Sequence, residues 1–229
     1  MKNVFIIAVS ALMIFSCSSK KPSKEYIYAA SLHQNYADYY YKGEKMVADI
    51  TFYKGVDSFI KMDSFCNASR MYISRFALAE NEADKKDALL ALEYAEAGAC
   101  EDEALIANFL LEGQTERNGK LEKPFSLIAE FYESGRYSAM LSYADSNSSS
   151  FASSAVRIYR LVAEGIVNKE PKKALEIVTK AHEIDTAYGW TLGIYRDLEI
   201  MIKAQENLGA DTESLAKRKQ IIKQKLGKN

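Results

Sequence analysis

The segment KKALEIVTKA, at residues 172–181, carries the pattern that decides the fold of this chain. Its residues Ala174, Val178 and Ala181 recur at steps of four and three, so a helix places them on one face. Small side chains on such a face allow a second helix to approach closely. The same spacing recurs in two earlier segments, at Ala48, Phe52 and Gly55 and at Ala88, Leu92 and Ala95.

The rest of the chain is also typical of helices. The 229 residues include only 11 Gly and 3 Pro, and no run alternates strictly between apolar and polar residues. Short links between helices favour antiparallel neighbours, so we expect an all-α array of antiparallel helix hairpins with about eleven helices. Turn-forming residues interrupt the periodicity near residues 43, 62–63, 81–84, 100–102, 118–119, 134–135, 147–150, 168–171, 185–186 and 209–211.

Several of these segments resemble tetratricopeptide repeats. Gly135-x-Tyr137 is similar to the turn of that family, and residues 172–176 are similar to the start of its second helix. The resemblance extends over residues 29–186 and implies an α-solenoid, with Sel1-like and other degenerate helical repeats as alternatives. Only the last of the three spacings, 40, 52 and 34 residues, equals the family period; they separate Ala48, Ala88, Met140 and Ala174.

The N-terminus is typical of an exported protein. Lys2 precedes an apolar stretch at residues 4–15, which as a helix spans about 18 Å and is too short for the roughly 30 Å hydrocarbon layer. Residues 1–16 therefore match a cleaved secretory signal peptide.

The end of this stretch, Ile14-Phe15-Ser16-Cys17, resembles the lipobox of bacterial lipoproteins. The resemblance implies that Cys17 is acylated with palmitate-type chains after cleavage, which anchors the protein to a membrane. Ser18 and Ser19 follow without an Asp, which resembles cargo sorted to the outer membrane. The alternative is an ordinary cleaved signal with an incidental Cys.

We expect three parts after the signal peptide: a polar, lipidated tether at residues 17–24, a repeat domain at residues 25–229, and a C-terminal capping helix at about residues 211–226. The capping helix has acidic residues in its first turn and basic residues beyond, which suits the helix dipole. The alternative role for its basic residues is contact with anionic lipid or an acidic partner. A repeat array needs such a cap at each end because a terminal hairpin exposes one face.

Cys66 and Cys100 are the remaining thiols of the exported chain. If helices at about 63–80 and 85–99 form a hairpin that turns near Glu82, Cys66 lies opposite about residue 98 and Cys100 comes within reach. A disulfide is possible on this geometry, and two unpaired buried thiols are the alternative. No C-x-x-C spacing supports a redox role.

No catalytic, cofactor-binding or metal-binding residues emerge from the sequence. The two histidines, His33 and His182, are far apart and lack neighbouring ligands at metal-binding spacing. No nucleophile elbow, phosphate-binding loop or dinucleotide fingerprint is present. Lys and Arg total 30 against 31 Asp and Glu, so nucleic-acid binding has no surplus of positive charge to draw on.

The chain contains 15 tyrosines, a residue type favoured at binding surfaces. We expect candidate partner-binding residues at Tyr36, Tyr39, Tyr40, Tyr41 and Tyr53. The alternative is that these side chains fill the wide grooves between helices.

Together these features predict a non-enzymatic lipoprotein that faces the periplasm, is held on the outer membrane, and acts as a scaffold that binds another cell-envelope protein in a concave groove. Two other functions stay open on the sequence. One is a periplasmic receptor that encloses a small ligand or glycan in an aromatic pocket. The other is a cryptic cell-wall hydrolase, which needs titratable groups converging in a cleft.

Overall fold

The computed structural model describes residues 22–113 and 121–227, and within them the chain is all-α. Eleven α-helices and one 3₁₀ turn at Glu80–Glu82 follow one another without a strand in these ranges, and neighbouring helices pack against each other. The predicted fold class is confirmed. The helices are α1 (Lys24–Lys42), α2 (Lys45–Lys61), α3 (Phe65–Ala79), α4 (Lys85–Ala97), α5 (Glu101–Glu112), α6 (Phe125–Ser134), α7 (Ser138–Asn147), α8 (Ala152–Ile166), α9 (Pro171–Tyr188), α10 (Thr191–Asn207) and α11 (Glu213–Leu226).

The predicted small-residue faces form the contacts between helices. Residues Ala48, Phe52 and Gly55 of α2 are buried, and so are Ala174, Val178 and Ala181 of α9. Gly55 lies so close to Met71 of α3 that an added Cβ would be 2.8 Å from the Met71 Cε. The spacing identified in the sequence therefore marks the sides of the helices that face the core.

Within the described residues, most helix ends are where the turn-forming residues predict them, with one correction. The break predicted near residues 118–119 lies outside these ranges. A break was expected at Asp185–Thr186, but α9 continues to Tyr188 and ends at Gly189, which has a φ of 67°. Asp185 lies inside the helix because its side chain is buried and bonded to Arg160 of α8. Asp185 is a residue type typical of turns, but here it forms a contact between two helices.

The two ends of the array meet. Helix α10 packs against α1, so the C-terminal helices lie on a face of the first hairpin as well as on one another. At the α1–α2 turn, Leu226 of α11 approaches Gly43, where a Cβ would be 2.3 Å from the Leu226 Cδ2. One continuous apolar core runs through this junction and includes Tyr41 and Trp190.

The last helix covers the end of the array. α11 packs on α10, yet none of its own residues is fully buried. Its basic side chains partly engage α10, since Lys219 Nζ lies 3.2 Å from Glu199 Oε1. This arrangement fits a solvated capping helix.

Cys66 and Cys100 form a disulfide with a Cα–Cα distance of 5.6 Å. It joins the first turn of α3 to the residue before α5, so the α3–α4 hairpin and the start of α5 are linked covalently. Gly98 provides the room, because a Cβ there would lie 2.6 Å from the Cys100 Sγ.

Removing this bond tests its contribution. We expect the double substitution Cys66→Ser and Cys100→Ser to lower the free energy of unfolding by about 3 to 4 kcal/mol, because the crosslink limits the unfolded chain across a separation of 34 residues. Urea unfolding of both proteins, with and without dithiothreitol, measures the difference. The reductant should destabilise the wild type and leave the variant unchanged; an equal response in both would contradict the assignment.

Candidate functional site

The most heavily charged buried region of the described chain centres on Arg160 of α8. Its side chain is 1% exposed, and it donates hydrogen bonds to three carboxylates on other elements. Nε bonds Glu80 Oε1 at 3.1 Å, and Nη1 bonds Asp185 Oδ2 at 2.6 Å and Asp197 Oδ1 at 3.2 Å. The guanidinium centre also lies 5.0 Å from the ring centroid of Tyr41, on α1. One side chain thus connects α1, α8, α9, α10 and the 3₁₀ turn.

A second arginine, Arg196 of α10, extends this cluster to the end of α3. It donates to the carbonyl oxygens of Leu78 and Ala79 at 2.9 and 3.3 Å, and to the hydroxyl of Tyr40 at 3.1 Å. Its Nη1 lies 3.4 Å from Glu80 Oε1. The carbonyl groups at the end of a helix are natural acceptors, so Arg196 binds α3 where its backbone lacks internal partners.

Glu80, Asp185 and Asp197 face two guanidinium groups, so one carboxyl group lacks an arginine partner; His182 lies beside the cluster, with its Nδ1 3.6 Å from Asp197 Oδ2. Burial, together with the neighbouring Asp197, raises the pKa of Asp185 to about 8, against the opposing effect of Arg160. Asp185 Oδ1 and Asp197 Oδ2 are buried without a donor. A proton retained on Asp185 supplies that donor to the Asp197 carboxylate and balances the charge.

Glycine allows the close approach that this cluster needs. Gly193 of α10 faces Asp185 so closely that a Cβ would lie 2.1 Å from the Asp185 Oδ2. Any side chain at position 193 would therefore displace the carboxylate from Arg160. The cluster is enclosed, since Asp185 and Asp197 are fully buried, and it holds the helices together without offering room for a substrate.

Two of the predicted partner-binding tyrosines belong to the core, which corrects that expectation. Tyr36 packs on Phe52, with ring centroids 5.1 Å apart, and Tyr41 stacks on Trp190 at 5.0 Å. Both side chains are buried, so neither is available to a partner. The Trp190 Nε1 donates to Asp38 Oδ1 at 2.8 Å, which fixes the indole against α1.

Tyr39 and Tyr40 are half-buried and pack at the edge of the same core. Tyr40 accepts the hydrogen bond from Arg196 described above, so its polar end is already occupied. Tyr40 and Tyr41 thus contact the C-terminal part of their own chain, at Arg196 and Trp190. At these positions the tyrosines fill grooves between helices, which is the alternative that the sequence left open.

Tyr53 is the predicted tyrosine that remains exposed, and it lies in an apolar surface on α2. We call this surface the α2 stripe and define it by Met46, Val47, Ile50 and Tyr53. Their exposed fractions are 70%, 42%, 50% and 55%. Residues 46, 50 and 53 are spaced by four and three, so they follow one outer face of the helix. Among them, only Tyr53 was identified from the sequence.

The ring of Tyr53 is held in place by Arg75, a residue of the neighbouring helix α3. Arg75 of α3 lies with its guanidinium centre 5.4 Å from the Tyr53 ring and 4.7 Å from the Phe52 ring. Arg75 is itself held by Asp49 and Asp87, at 3.6 and 3.3 Å. A ring that is already positioned loses little conformational entropy when a partner covers it.

A half-open cavity of about 270 Å³ lies between α8 and α10. Burial and the nearby Glu80 raise the pKa of Glu164, one of its lining residues. The cavity has no tyrosine in its lining, so it is not the aromatic pocket that a receptor for a small ligand would require. Its lining residues are Glu164, Val167, Glu199, Ile200 and Lys203.

The cysteine pair lies beside a carboxylate but does not form a metal site in this structure. The Cys66 and Cys100 sulfurs and a Glu103 oxygen lie within 4.8 Å of one another. The sulfurs are bonded to each other, and Glu103 is paired with Arg70, so neither thiolate nor free carboxylate is available. The two histidines lie apart, His33 against Ser74 and His182 beside Arg218.

Among known proteins, no protein-family model, curated protein or solved structure matches this chain. Two features of the geometry remain as candidates: an enclosed charged cluster that closes the array, and the exposed α2 stripe.

Substitution of Arg160 tests the role of the cluster. We expect Arg160→Met to lower the free energy of unfolding by about 3 to 5 kcal/mol, because it leaves Glu80, Asp185 and Asp197 buried without their cation. Lys180→Met is the matched control, since Lys180 pairs with Asp145 at a half-exposed position and should cost no more than about 1 kcal/mol. Equal losses in the two variants, measured by urea unfolding, would contradict the role of Arg160.

The shared proton predicts a pH dependence. The folded pKa of Asp185, about 8, lies above its ordinary value of 3.8, so the folded state binds more protons between these values. Its contribution to stability is complete below about pH 4 and is lost as the pH rises towards 8. We expect the urea midpoint to fall between about pH 4 and 8 and to level off above that range, and Asp185→Asn to flatten the fall. A wild type and a variant with parallel pH profiles would exclude the proton.

Proposed function

We propose that this protein is a lipid-anchored adaptor of the bacterial cell envelope, held on the outer membrane with its helical array in the periplasm. The array binds a segment of another envelope protein on the α2 stripe. The observation that carries the proposal is the exposure of four neighbouring apolar side chains on one outer face of α2. Apolar surface of this kind is characteristic of protein interfaces.

The geometry of the α2 stripe favours a helical or extended apolar segment as the ligand. Met46, Ile50 and Tyr53 have the spacing by which one helix presents anchors to another. Met46 is unbranched and adapts to an irregular partner surface, whereas Tyr53 is positioned by Arg75. The flexible Met46 tolerates variation in the partner's surface, and the fixed Tyr53 ring defines the register in which the partner binds.

The expected concave groove is not the favoured site for this partner. The C-terminal helices lie on the face of α1 that carries Tyr40 and Tyr41, where Arg196 and Trp190 engage them. A partner on that face would have to displace a packed core. The outer face of α2 needs no such rearrangement, and we therefore assign binding to it.

The anchor rests on the lipobox resemblance at Cys17, which lies outside the described residues. No helix within residues 22–113 and 121–227 has the length and apolar character needed to cross a membrane. Acylation of Cys17 would hold the array six residues from the lipid, since Ser23 caps the start of α1.

Site-specific photo-crosslinking in the native envelope tests the adaptor role. We place a photoreactive side chain at Ile50 in one protein and at Tyr132, an equally exposed aromatic on α6, in a control. We expect one reproducible protein adduct from position 50 and none at that mass from position 132. Met46→Glu should reduce the adduct by roughly tenfold or more, because a carboxylate cannot be buried at an apolar interface without a partner.

Two outcomes would overturn the proposal. Identical adducts from positions 50 and 132 would show that the α2 stripe has no specific partner. An intact, unacylated N-terminus in the mass spectrum of the membrane-derived protein would remove the anchor. A Cys17→Ser variant provides the reference for that measurement, because it should lose the acyl mass and leave the membrane fraction.

A further inference from the structure

The first turn of α1 exposes three apolar or aromatic side chains in succession. Ile27 is 57% exposed and Tyr28 is 55% exposed, and the preceding Tyr26 is 38% exposed. These residues are separate from the α2 stripe, which begins at the opposite end of the hairpin. Neither the packing of the array nor the proposed adaptor function explains them.

This turn is well defined. Ser23 caps the helix, since its Oγ accepts a hydrogen bond of 3.0 Å from the Tyr26 backbone N–H. The Tyr26 ring packs edge-on against Phe59 at the end of α2, with centroids 6.1 Å apart. With Tyr26 held by this contact and Ala29 buried, Ile27 and Tyr28 point to the outside.

The connection to Cys17 restricts where this turn can lie. Cys17 and Ser23 are six positions apart, and a fully extended chain of that length spans at most about 20 Å. If Cys17 is acylated, as the proposed function requires, its backbone lies at the level of the lipid headgroups. The first turn of α1 is then confined to the immediate neighbourhood of the bilayer surface.

We infer that Tyr26, Ile27 and Tyr28 insert into the headgroup region of the bilayer and form a second contact beside the acyl chains. Tyrosine side chains partition to this interface because the ring is apolar and its hydroxyl group forms hydrogen bonds with water. Isoleucine adds apolar area. This inference rests on the proposed lipid anchor and adds a defined orientation of the array.

The contact is confined to this part of the array end. The disulfide brings the start of α5 to the same end as the start of α3, and α5 begins with the acidic residues Glu101, Asp102 and Glu103. Carboxylates are repelled by the negative surface potential of anionic lipid. The start of α5 is therefore kept out of the contact, which depends on the apolar turn of α1.

The orientation places the α2 stripe away from the membrane. Helix α1 has 19 residues and a length of about 28 Å, and α2 runs back from its far end. Met46, Val47 and Ile50 lie in the first two turns of α2, so they are about one helix length from the turn that contacts lipid. A partner can reach them without competing with lipid.

Quenching by brominated lipid tests the contact directly. Acylated full-length protein carrying Tyr28→Trp is reconstituted into phosphatidylcholine vesicles with and without bromine on the acyl chains. Tyr132→Trp is the matched control on α6, because it introduces the same indole at an exposed tyrosine remote in the sequence. The native Trp190 is buried and contributes the same background to both proteins.

We expect bromine to reduce the emission of the indole at position 28 and to leave the indole at position 132 unchanged. Ile27→Trp serves as a second probe of the same turn and should behave like Tyr28→Trp. Equal emission with and without bromine at both positions 27 and 28, in protein shown by mass spectrometry to be acylated, would overturn the inference and leave the anchor intact.

Two further results distinguish this inference from the function on which it rests. Absence of acyl chains on Cys17 would overturn the proposed anchor and the inference together. A photoreactive side chain at position 28 that forms a protein adduct in native membranes, in place of a lipid adduct, would assign the turn to a protein and overturn the lipid contact alone.

Discussion

The buried ion network around Arg160 is the interaction on which the rest of the structure depends. A guanidinium group that is 1% exposed is stable only if acceptors surround it, and these come from the 3₁₀ turn, α9 and α10. None of these elements can shift without leaving a charge unpaired in the core. Gly193 completes the arrangement, since no side chain fits between α10 and the Asp185 carboxylate.

By holding the C-terminal helices against α1, this network removes the inner groove as a binding surface. The hairpins of an open array leave an inner groove for a partner, whereas here α10 packs on α1 and uses Tyr40, Tyr41 and Asp38 as its contacts. The tyrosines that resemble a binding surface therefore bind within the chain. Neighbouring apolar side chains are exposed on the outer face of α2 and on the first turn of α1, two surfaces at opposite ends of one hairpin.

These two surfaces fit a single physical arrangement. The proposed acyl anchor and the first turn of α1 hold one end of the hairpin at the lipid, and the α2 stripe begins at the other end. The disulfide between Cys66 and Cys100 joins the start of α3 to the start of α5 by covalent linkage. The Arg160 network joins α8 to α9 and α10 through ion pairs and to α1 through the contact with the Tyr41 ring.

The sequence by itself determined the helices, the faces they bury and most of their ends. Ala48, Phe52, Gly55 and the matching residues of α9 are recognisable because helical periodicity is a relation between residues three or four apart. Only the tertiary structure decided which helices meet and which polar residues are buried. Glu80 and Asp197 are 117 positions apart and share Arg160, and nothing local distinguishes them from solvated carboxylates. Asp185 even resembled a turn residue, because its partner lies on another helix. Contacts of this kind depend on how all the helices cross, and short-range spacing carries no information about that.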